Sequence, residues 1–555
     1  MLSPTFKLFL FCFTVLFIEK ALFWLYLWQL KNYHLKRFLA HFATHQGKRL
    51  LLNLQNILLV SGILWLVFIT LLKEKAVFTS FYALGVFILN LGLVFLCFKT
   101  FFNFIKLKTK KPVLTKKSGL LVLSSFLIGF IFALIFSPFQ ENAIFAFLVI
   151  LFLEPILVSG IVLILEPLTV FKRKQILKKA TQKRANLPNL QVIAITGSYG
   201  KTSVKEYLYQ ILKEKFSEEA VVKTEKHINA EIGIAQTILN KVNERTKIFI
   251  VEVGAYEIGK IKEVCKMIKP NVSVLTGINN QHLATFGSQE NIIKAKFEVI
   301  DALKNGGVAI FNLDSPLTSS KFKVQSAKLN EGGIKTIACS TKQEADIMAA
   351  DIMVEKETVS FKAFTKAGST AQFNLKALGK TTIENVLLAI AAAKEFSVSL
   401  KEVTDVLSKN NLNTEALQLL KKENRDLLLT DYSSNLTGVL ADLEHLKLWG
   451  GKKIIVMPCL IELGVTAKET HFKIGEGISK VCDLAIITSA DYFKALKEGA
   501  KKTTERKAKI IFLTNPQKIK NEIDFLLKGN KSEAKDSVVL IEGRSSRKIV
   551  EAIVK

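Results

Sequence analysis

Acidic residues are scarce in the 555-residue sequence, where 48 Asp and Glu stand against 77 Lys and Arg. The deficit is uneven. Residues 1–187 hold 5 acids and 23 bases, a net +18 of the chain's +29. Those bases flank apolar runs, so the expected partners are lipid headgroups and not nucleic acid. Cysteine is sparse as well: Cys12, Cys97, Cys265, Cys339, Cys459 and Cys482 are scattered and form no CxxC pair. A zinc site or a disulfide framework is thereby excluded from the expectation, and a reducing compartment fits. Disorder is excluded by a composition that is 49% hydrophobic and 23% charged.

What the front of the chain does have is long apolar runs. A helix needs roughly 20 apolar residues to cross a hydrocarbon core, and five stretches reach that: Leu8–Leu30, Leu50–Leu72, Val77–Phe98, Gly119–Pro138 and Ala143–Leu165. The first lacks a basic lead-in and a small-residue cleavage site, so it reads as a retained span and not a signal peptide. Bases crowd the loops after the first and third spans (Lys31, Lys36, Arg37, Lys48, Arg49; Lys99, Lys106, Lys108, Lys110, Lys111, Lys116, Lys117) and thin out in the others. Because such bases stay on the cytoplasmic side, the sequence predicts a multi-pass protein of the cell (inner or plasma) membrane, amino terminus outside and the remainder cytoplasmic. Two acid–proline pairs interrupt the last run, Glu154–Pro155 and Glu166–Pro167. A carboxylate at membrane depth is a functional candidate; Pro155 also serves to kink a helix.

From Gln191 the texture changes to short β-branched runs alternating with helical patterns, the signature of parallel α/β domains. "QVIAIT", "IFIVEVG", "NVSVLTGI" and "GGVAIFNLD" read as one sheet, and "DLLLTDY", "KIIVMP", "LAIITS", "KIIFLT" and "SVVLIEG" as a second. Between them, "TTIENVLLAIAAAKEF" reads as an amphipathic helix closing the first. The predicted domains are an α-helical membrane domain at 1–170, a basic linker at 171–190, a central α/β domain at 191–410 and a Rossmann-like α/β domain at 411–555.

After the first predicted strand comes "TGSYGKTS". Thr196, Gly197, Ser198, Gly200, Lys201, Thr202 and Ser203 there form a candidate phosphate cradle: the glycines let backbone amides approach, Lys201 supplies a cation and Thr202 a hydroxyl for Mg2+ at a helix N-terminus. The common P-loop wants glycine where Ile195 stands. The shortened TGxxGKT loop resembles that of the Mur ligases, the ATP-dependent amide-forming enzymes of peptidoglycan precursor synthesis, and within them the branch that adds D-alanyl-D-alanine. "NAEIG" at 229–233, "VEVGAYEIGKI" at 251–261, "HLATFGSQENIIKAKFEVI" at 282–300, "IELGVTAKETHFKIGEGI" at 461–478 and "VLIEGRSSRKIVEAI" at 539–553 are similar, in the same order, to further family segments.

The resemblance implies ATP and Mg2+ as cofactors, with Thr202, Glu252, His282 and Lys296 around the metal. Lys296 aligns with a lysine that is carbamylated in several family members, and Lys201, Lys296 and His282 are the implied catalytic groups. Asn385, the last asparagine of an HNxxN signature otherwise replaced by Thr381–Glu384, and Asp431, in "TDYSSNLTG", are implied on the nucleotide side. The implied chemistry is activation of a carboxylate as an acyl phosphate and attack by an amine. The implied partners are a cell-wall precursor, lipid-linked in view of the spans standing where the family's UDP-sugar domain would be, and an amino acid or dipeptide amine. Departures are the HNxxN segment and the Gly–Arg pair replaced around Glu415–Ala416. Two other classes stay open on the residues alone: a transport ATPase, and a non-hydrolysing scaffold for envelope enzymes.

Overall fold

The computed structural model describes residues 4–42, 44–71, 78–106, 109–139, 141–226, 228–410, 417–430, 435–502, 508–528, 536–543 and 545–554. The chain divides into two compact units, Met1–Lys174 and Gln175–Lys555.

The first unit is helical: α1 (Pro4–Leu30), α2 (Leu35–His41), α3 (His45–Leu51), α4 (Leu54–Leu71), α5 (Phe78–Ile105), α6 (Lys116–Phe136) and the start of α7 (Glu141–Ala185). On α1 the residues Phe6, Phe9, Phe13, Leu16, Lys20, Trp24 and Leu27 are buried, a spacing of three to four that puts them on one helical stripe. Phe9 and Phe13 pack on Phe147, and Trp28 stacks on Phe38 with ring centroids 4.1 Å apart.

Four helical stretches are long and apolar enough to cross a membrane, Phe6–Leu30, Phe87–Ile105, Lys116–Phe139 and Ala143–Ala185, among the described residues. The expected second span, Leu50–Leu72, is divided between α3 and the 18-residue α4. The division has a local cause. The Asn53 side chain accepts from the Asn56 N–H at 2.8 Å, an N-cap that starts a new helix in place of continuing the old one.

Helix α7 passes through both Pro155 and Pro167 without a break. Pro155 has no N–H to offer the carbonyl of Leu151 four residues back. The ammonium of buried Lys20 takes that role, donating to Leu151 O at 2.7 Å and to Asn56 Oδ1 at 3.2 Å. Glu166 pairs with Lys117 at 2.9 Å.

The second unit contains two sheets. The first has β1 (Gln191–Thr196), β2 (Val221–Lys223), β3 (Ile248–Glu252), β4 (Val272–Leu275), β5 (Val308–Asn312), β6 (Lys335–Ser340), β7 (Ile347–Val354), β8 (Val359–Thr365) and β9 (Thr370–Leu375), in the order β2-β3-β1-β4-β5-β6-β7-β8-β9. It is parallel from β2 to β7 and antiparallel from β7 to β9. The central strands are apolar throughout because both faces are covered. Ile193 and Ile195 of β1 face a core with α8 (Lys201–Phe216), while Val192 and Ala194 face another with α9 (Glu231–Lys241), α10 (Lys260–Ile268) and α12 (Gln289–Asp301). The short α11 (Leu283–Phe286) precedes α12, and α13 (Pro316–Glu331) follows β5.

The helix α14 (Thr381–Lys394), expected to be amphipathic, is buried on nearly all sides from Thr382 to Ala393, apart from Glu384. It packs against α8 and against the sheet from β4 to β8; in the same core Phe361 and Phe373 stack across β8 and β9, and α15 (Leu400–Lys409) follows α14. The second sheet contains β10 (Gln418–Lys422), β11 (Arg425–Leu429), β12 (Lys453–Met457), β13 (Leu484–Ile487), β14 (Lys509–Phe512) and β15 (Val538–Ile541), in the order β10-β11-β15-β12-β13-β14. The helix α16 (Leu436–Leu446) packs on it through Val439, Leu443 and Leu446.

Candidate active site

From β1 the chain moves out to β2 and β3 on one side, then crosses to β4 and β5 on the other. Ligands of open α/β sheets bind at the carboxyl ends of strands where that direction reverses. Here those ends carry Thr196, Glu252 and Leu275.

The loop after β1 is built by contacts that leave no room for side chains at its glycines. A Cβ on Gly197 would collide with Thr276 Oγ1, and one on Gly200, whose φ is +77°, with Asn385 Oδ1. Asn385, expected on the nucleotide side, therefore sits over the loop from α14. Ser198 is pinned from below: its N–H donates to Gly277 O at 2.7 Å and its Oγ accepts from Asn279 N at 3.1 Å. The Thr196 hydroxyl bonds Val253 O at 2.8 Å, tying β1 to the end of β3. Ser203 points inward and meets Tyr207.

Glu252 closes β3, is fully buried, and is held from four sides. The Thr202 hydroxyl donates to its Oε2 at 2.8 Å, Asn229 Nδ2 to its Oε1 at 3.0 Å, and its own N–H donates to Thr224 Oγ1 at 3.0 Å. Lys205, wholly buried one helical turn beyond Lys201, lies 3.5 Å from Oε2. The sequence reading singled out neither Asn229 nor Lys205 as a site residue. For Asn229 the signal was present in "NAEIG"; for Lys205 it was only the i, i+4 spacing from Lys201.

Lys201 donates to Gly197 O at 2.9 Å. Lys296, on α12, has no hydrogen-bond partner among the described residues and is 4% exposed. Burial, reinforced by the charge of Lys201, lowers Lys296 from the usual lysine value of 10.5 to about 7, against the pull of Glu252 and Glu298. Burial lowers Lys201 as well, opposed by Glu252. Lys296 feels the charges of Lys201 and Glu252, and Lys201 that of Glu252, so both lysines lie near this carboxylate. Two residues past Lys296, Glu298 accepts the N–H groups of Gly259 and Lys262 and so anchors the start of α10.

His282 is held in the left-handed region, φ +64°, and its Nδ1 lies 2.6 Å from Glu462 Oε2. Burial lowers its pKa, with Glu462 pulling upward and Lys296 and Lys201 pulling down. A neutral imidazole that donates Nδ1–H to a carboxylate keeps its Nε2 lone pair for another partner, the arrangement by which histidine ligands are oriented. Glu462 comes from the second sheet's side, 180 residues away. A second such contact joins Asn279 Nδ2 to Asn435 Oδ1 at 2.8 Å, Asn435 being the N-cap of α16. Asp431, expected on the nucleotide side, lies outside the described residues.

Among the described residues no group of three or more His, Cys, Asp and Glu could hold a metal by itself. The donors that are present, a Thr202 hydroxyl against a Glu252 carboxylate at a phosphate loop, are hard oxygens. They fit Mg2+, which accepts one or two protein oxygens and completes its shell with phosphate and water.

Residues 195–393 match the Mur ligase middle domain. The UDP-N-acetylmuramoyl-tripeptide–D-alanyl-D-alanine ligase of Buchnera aphidicola subsp. Baizongia pistaciae is 30% identical over 355 residues, 63% of this chain and 75% of that protein. Among solved structures, MurF from Acinetobacter baumannii superposes with a TM-score of 0.60 at 22% identity, over 69% of this chain and 79% of that one. MurF from Thermotoga maritima in complex with ADP does so with a TM-score of 0.56 at 23% identity, over 69% and 83%. The loop, the carboxylate network at its side and these likenesses converge: the chain belongs to the Mur ligase family of ATP-dependent ligases.

Proposed function

We propose that the chain is a membrane-anchored ligase that spends ATP to form an amide bond on a peptidoglycan precursor, in the manner of its D-alanyl-D-alanine-adding relatives. The observation that carries this reading is the site at the ends of β1 and β3, where Thr202 touches Glu252 and two buried lysines, Lys201 and Lys296, keep donors unspent. In this reading Thr196, Gly197, Ser198, Gly200, Lys201, Thr202 and Ser203 surround the nucleotide phosphates, with Asn385 and Asp431 on the nucleotide side. Thr202, Glu252, His282 and Lys296 surround Mg2+, which when bound neutralises charge on the transferring phosphoryl group.

A carboxylate oxygen of the precursor takes the γ-phosphoryl group of ATP, and ADP leaves. The amine then attacks the acyl carbon; the carbon–oxygen bond to phosphate breaks and the amine loses its proton. Lys201 stabilises the phosphoryl oxygens in both steps, so catalysis rests on placement and charge. With its pKa near 7, Lys296 has a substantial neutral fraction at neutral pH. The neutral amine is the form that adds CO2, which would turn a cation into the carbamate anion its alignment suggests.

The amino-terminal unit is read as the membrane domain (1–170), joined through 171–190 to the nucleotide domain (191–410) and the amine-presenting domain (411–555). Supporting this are the four long apolar helices and the exposed apolar side chains on them, among them Phe87, Phe95, Phe98, Leu123, Leu127 and Phe130. A soluble protein rarely exposes such a set in one place. With α4, 18 residues long, counted as the remaining crossing, the spans number five, and loop charge then sets the orientation: amino terminus outside, ligase domains cytoplasmic, the precursor reaching the site at the membrane face as a lipid-linked species.

The test is ADP release by the full chain in detergent, with and without D-alanyl-D-alanine and with UDP-linked or lipid-linked tripeptide. Amine- and acceptor-dependent release is the expected outcome. Amine-independent turnover would replace this reading with a transport ATPase, and absence of turnover in the wild type with a scaffold. Equal use of the UDP-linked substrate after deletion of residues 1–170 would remove the lipid-linked part alone.

A further inference from the structure

Three buried lysines surround Glu252, and they are not equivalent. Lys201 spends one donor, on its own loop, and Lys296 spends none among the described residues. Lys205 is held on three sides: its ammonium donates to Lys226 O at 2.7 Å and is ion-paired with Glu206 Oε1 at 3.4 Å and Glu252 Oε2 at 3.5 Å. Its positive charge is thus shared between two carboxylates, unlike the charges of Lys201 and Lys296. Its neighbour Glu206 is itself held by Lys223, and neither end of the pair with Glu252 reaches solvent, both side chains being 0% exposed. The carboxylate thus already has a permanent internal counter-cation. Thr202 and Asn229 hold its two oxygens besides.

We propose that Lys205 is a positioning residue that makes metal binding at Glu252 conditional on nucleotide. The inference rests on the reading of Glu252 as a metal ligand and deepens it. A fixed ammonium beside the carboxylate offsets the attraction that would draw in a free divalent cation, and the described residues provide no third acidic or imidazole ligand cluster to outweigh it. A cation that arrives with phosphate oxygens brings the missing negative charge with it. The carboxylate meanwhile stays oriented between Thr202, Asn229 and Lys205 without needing the metal. Binding is therefore ordered: nucleotide and metal enter together, and the site does not load with metal alone.

The experiment uses the full chain in detergent with Mn2+ as the probe, its binding read by electron paramagnetic resonance with and without ADP. The wild type is expected to bind Mn2+ at this site only with ADP. Lys205→Met is expected to bind Mn2+ without nucleotide at least tenfold more tightly than wild type, and Lys205→Arg to restore the wild-type dependence. Lys205→Gln, which keeps a donor for Lys226 O and loses only the charge, replaces Lys205→Met should that variant fail to fold, and the same tenfold gain is expected of it. Wild-type affinity for Mn2+ that is equal with and without ADP overturns the proposal, and so do uncharged variants that match the wild type. Should Mn2+ binding with ADP be unaffected by Glu252→Gln, the metal-ligand reading itself falls; if Glu252→Gln abolishes it while Lys205→Gln behaves as wild type, only the role of Lys205 falls.

Discussion

Lysine is buried in both units of the molecule, and the two burials have different logic. In the helical unit Lys20 answers a structural debt: Pro155 leaves the carbonyl of Leu151 without its helical donor, and Lys20 supplies one at 2.7 Å. Near the phosphate loop Lys201 and Lys296 are as deeply buried, yet Lys201 spends one donor and Lys296 none among the described residues. Burial alone therefore does not mark a lysine that serves the phosphates; the unspent donor does.

That distinction can be broken in three ways. The largest effect is expected for Lys201→Ala, which removes a cation aimed at the transferring group: turnover should fall by about 10²–10³-fold or more, with the thermal unfolding midpoint unchanged or raised, since a buried charge is lost. A drop in stability with activity retained would put Lys201 in the class of Lys20. Next comes Lys20→Met, which orphans the Leu151 carbonyl and should destabilise the helical unit by about 1–3 kcal/mol, read by unfolding in detergent. Pro155→Ala in the same chain restores an N–H to that carbonyl and should recover the larger part; no recovery would mean that Lys20 does something else.

The smallest effect is the pH dependence of Lys296. Its folded value near 7 lies below the usual 10.5, so between about pH 7 and 10.5 the unfolded chain binds more protons than the folded one. Stability contributed by this group therefore rises with pH across that window, and its penalty is fully present below pH 7. Lys296→Met should flatten the rise in an unfolding series over that range. An unchanged slope would show that Lys296 is not held as an unpaired amine.

Legibility from sequence followed the range of the interaction. The central strands of both sheets stood out because each is an unbroken apolar run between turn signals, as in "QVIAIT" and "KIIVMP". The antiparallel β7–β9 portion was not anticipated, although Val359, Phe361, Ala363 and Thr365 alternate inward with a period of two. Helix α14 reads as amphipathic because the sequence does not show that α8 packs on it as well as the sheet. The loop residues were readable from local spacing, and Asn385 emerged from family resemblance and is found against Gly200. What no local pattern could show was who holds Glu252 and His282. Lys205 is fixed by a backbone carbonyl at Lys226 and a carboxylate 47 residues on, and Glu462 reaches His282 from 180 residues away.

The Lys20–Leu151 contact also bears on how the chain is made. Lys20 leaves the ribosome 131 residues before the carbonyl it serves. Until α7 is synthesised, the first helix carries an ammonium with no acceptor from that helix, so the helical unit closes only when its first and last members meet. The proline that opens the acceptor thus acts as a late fastener, a tie between the first and last helices of the unit that forms only once both are present.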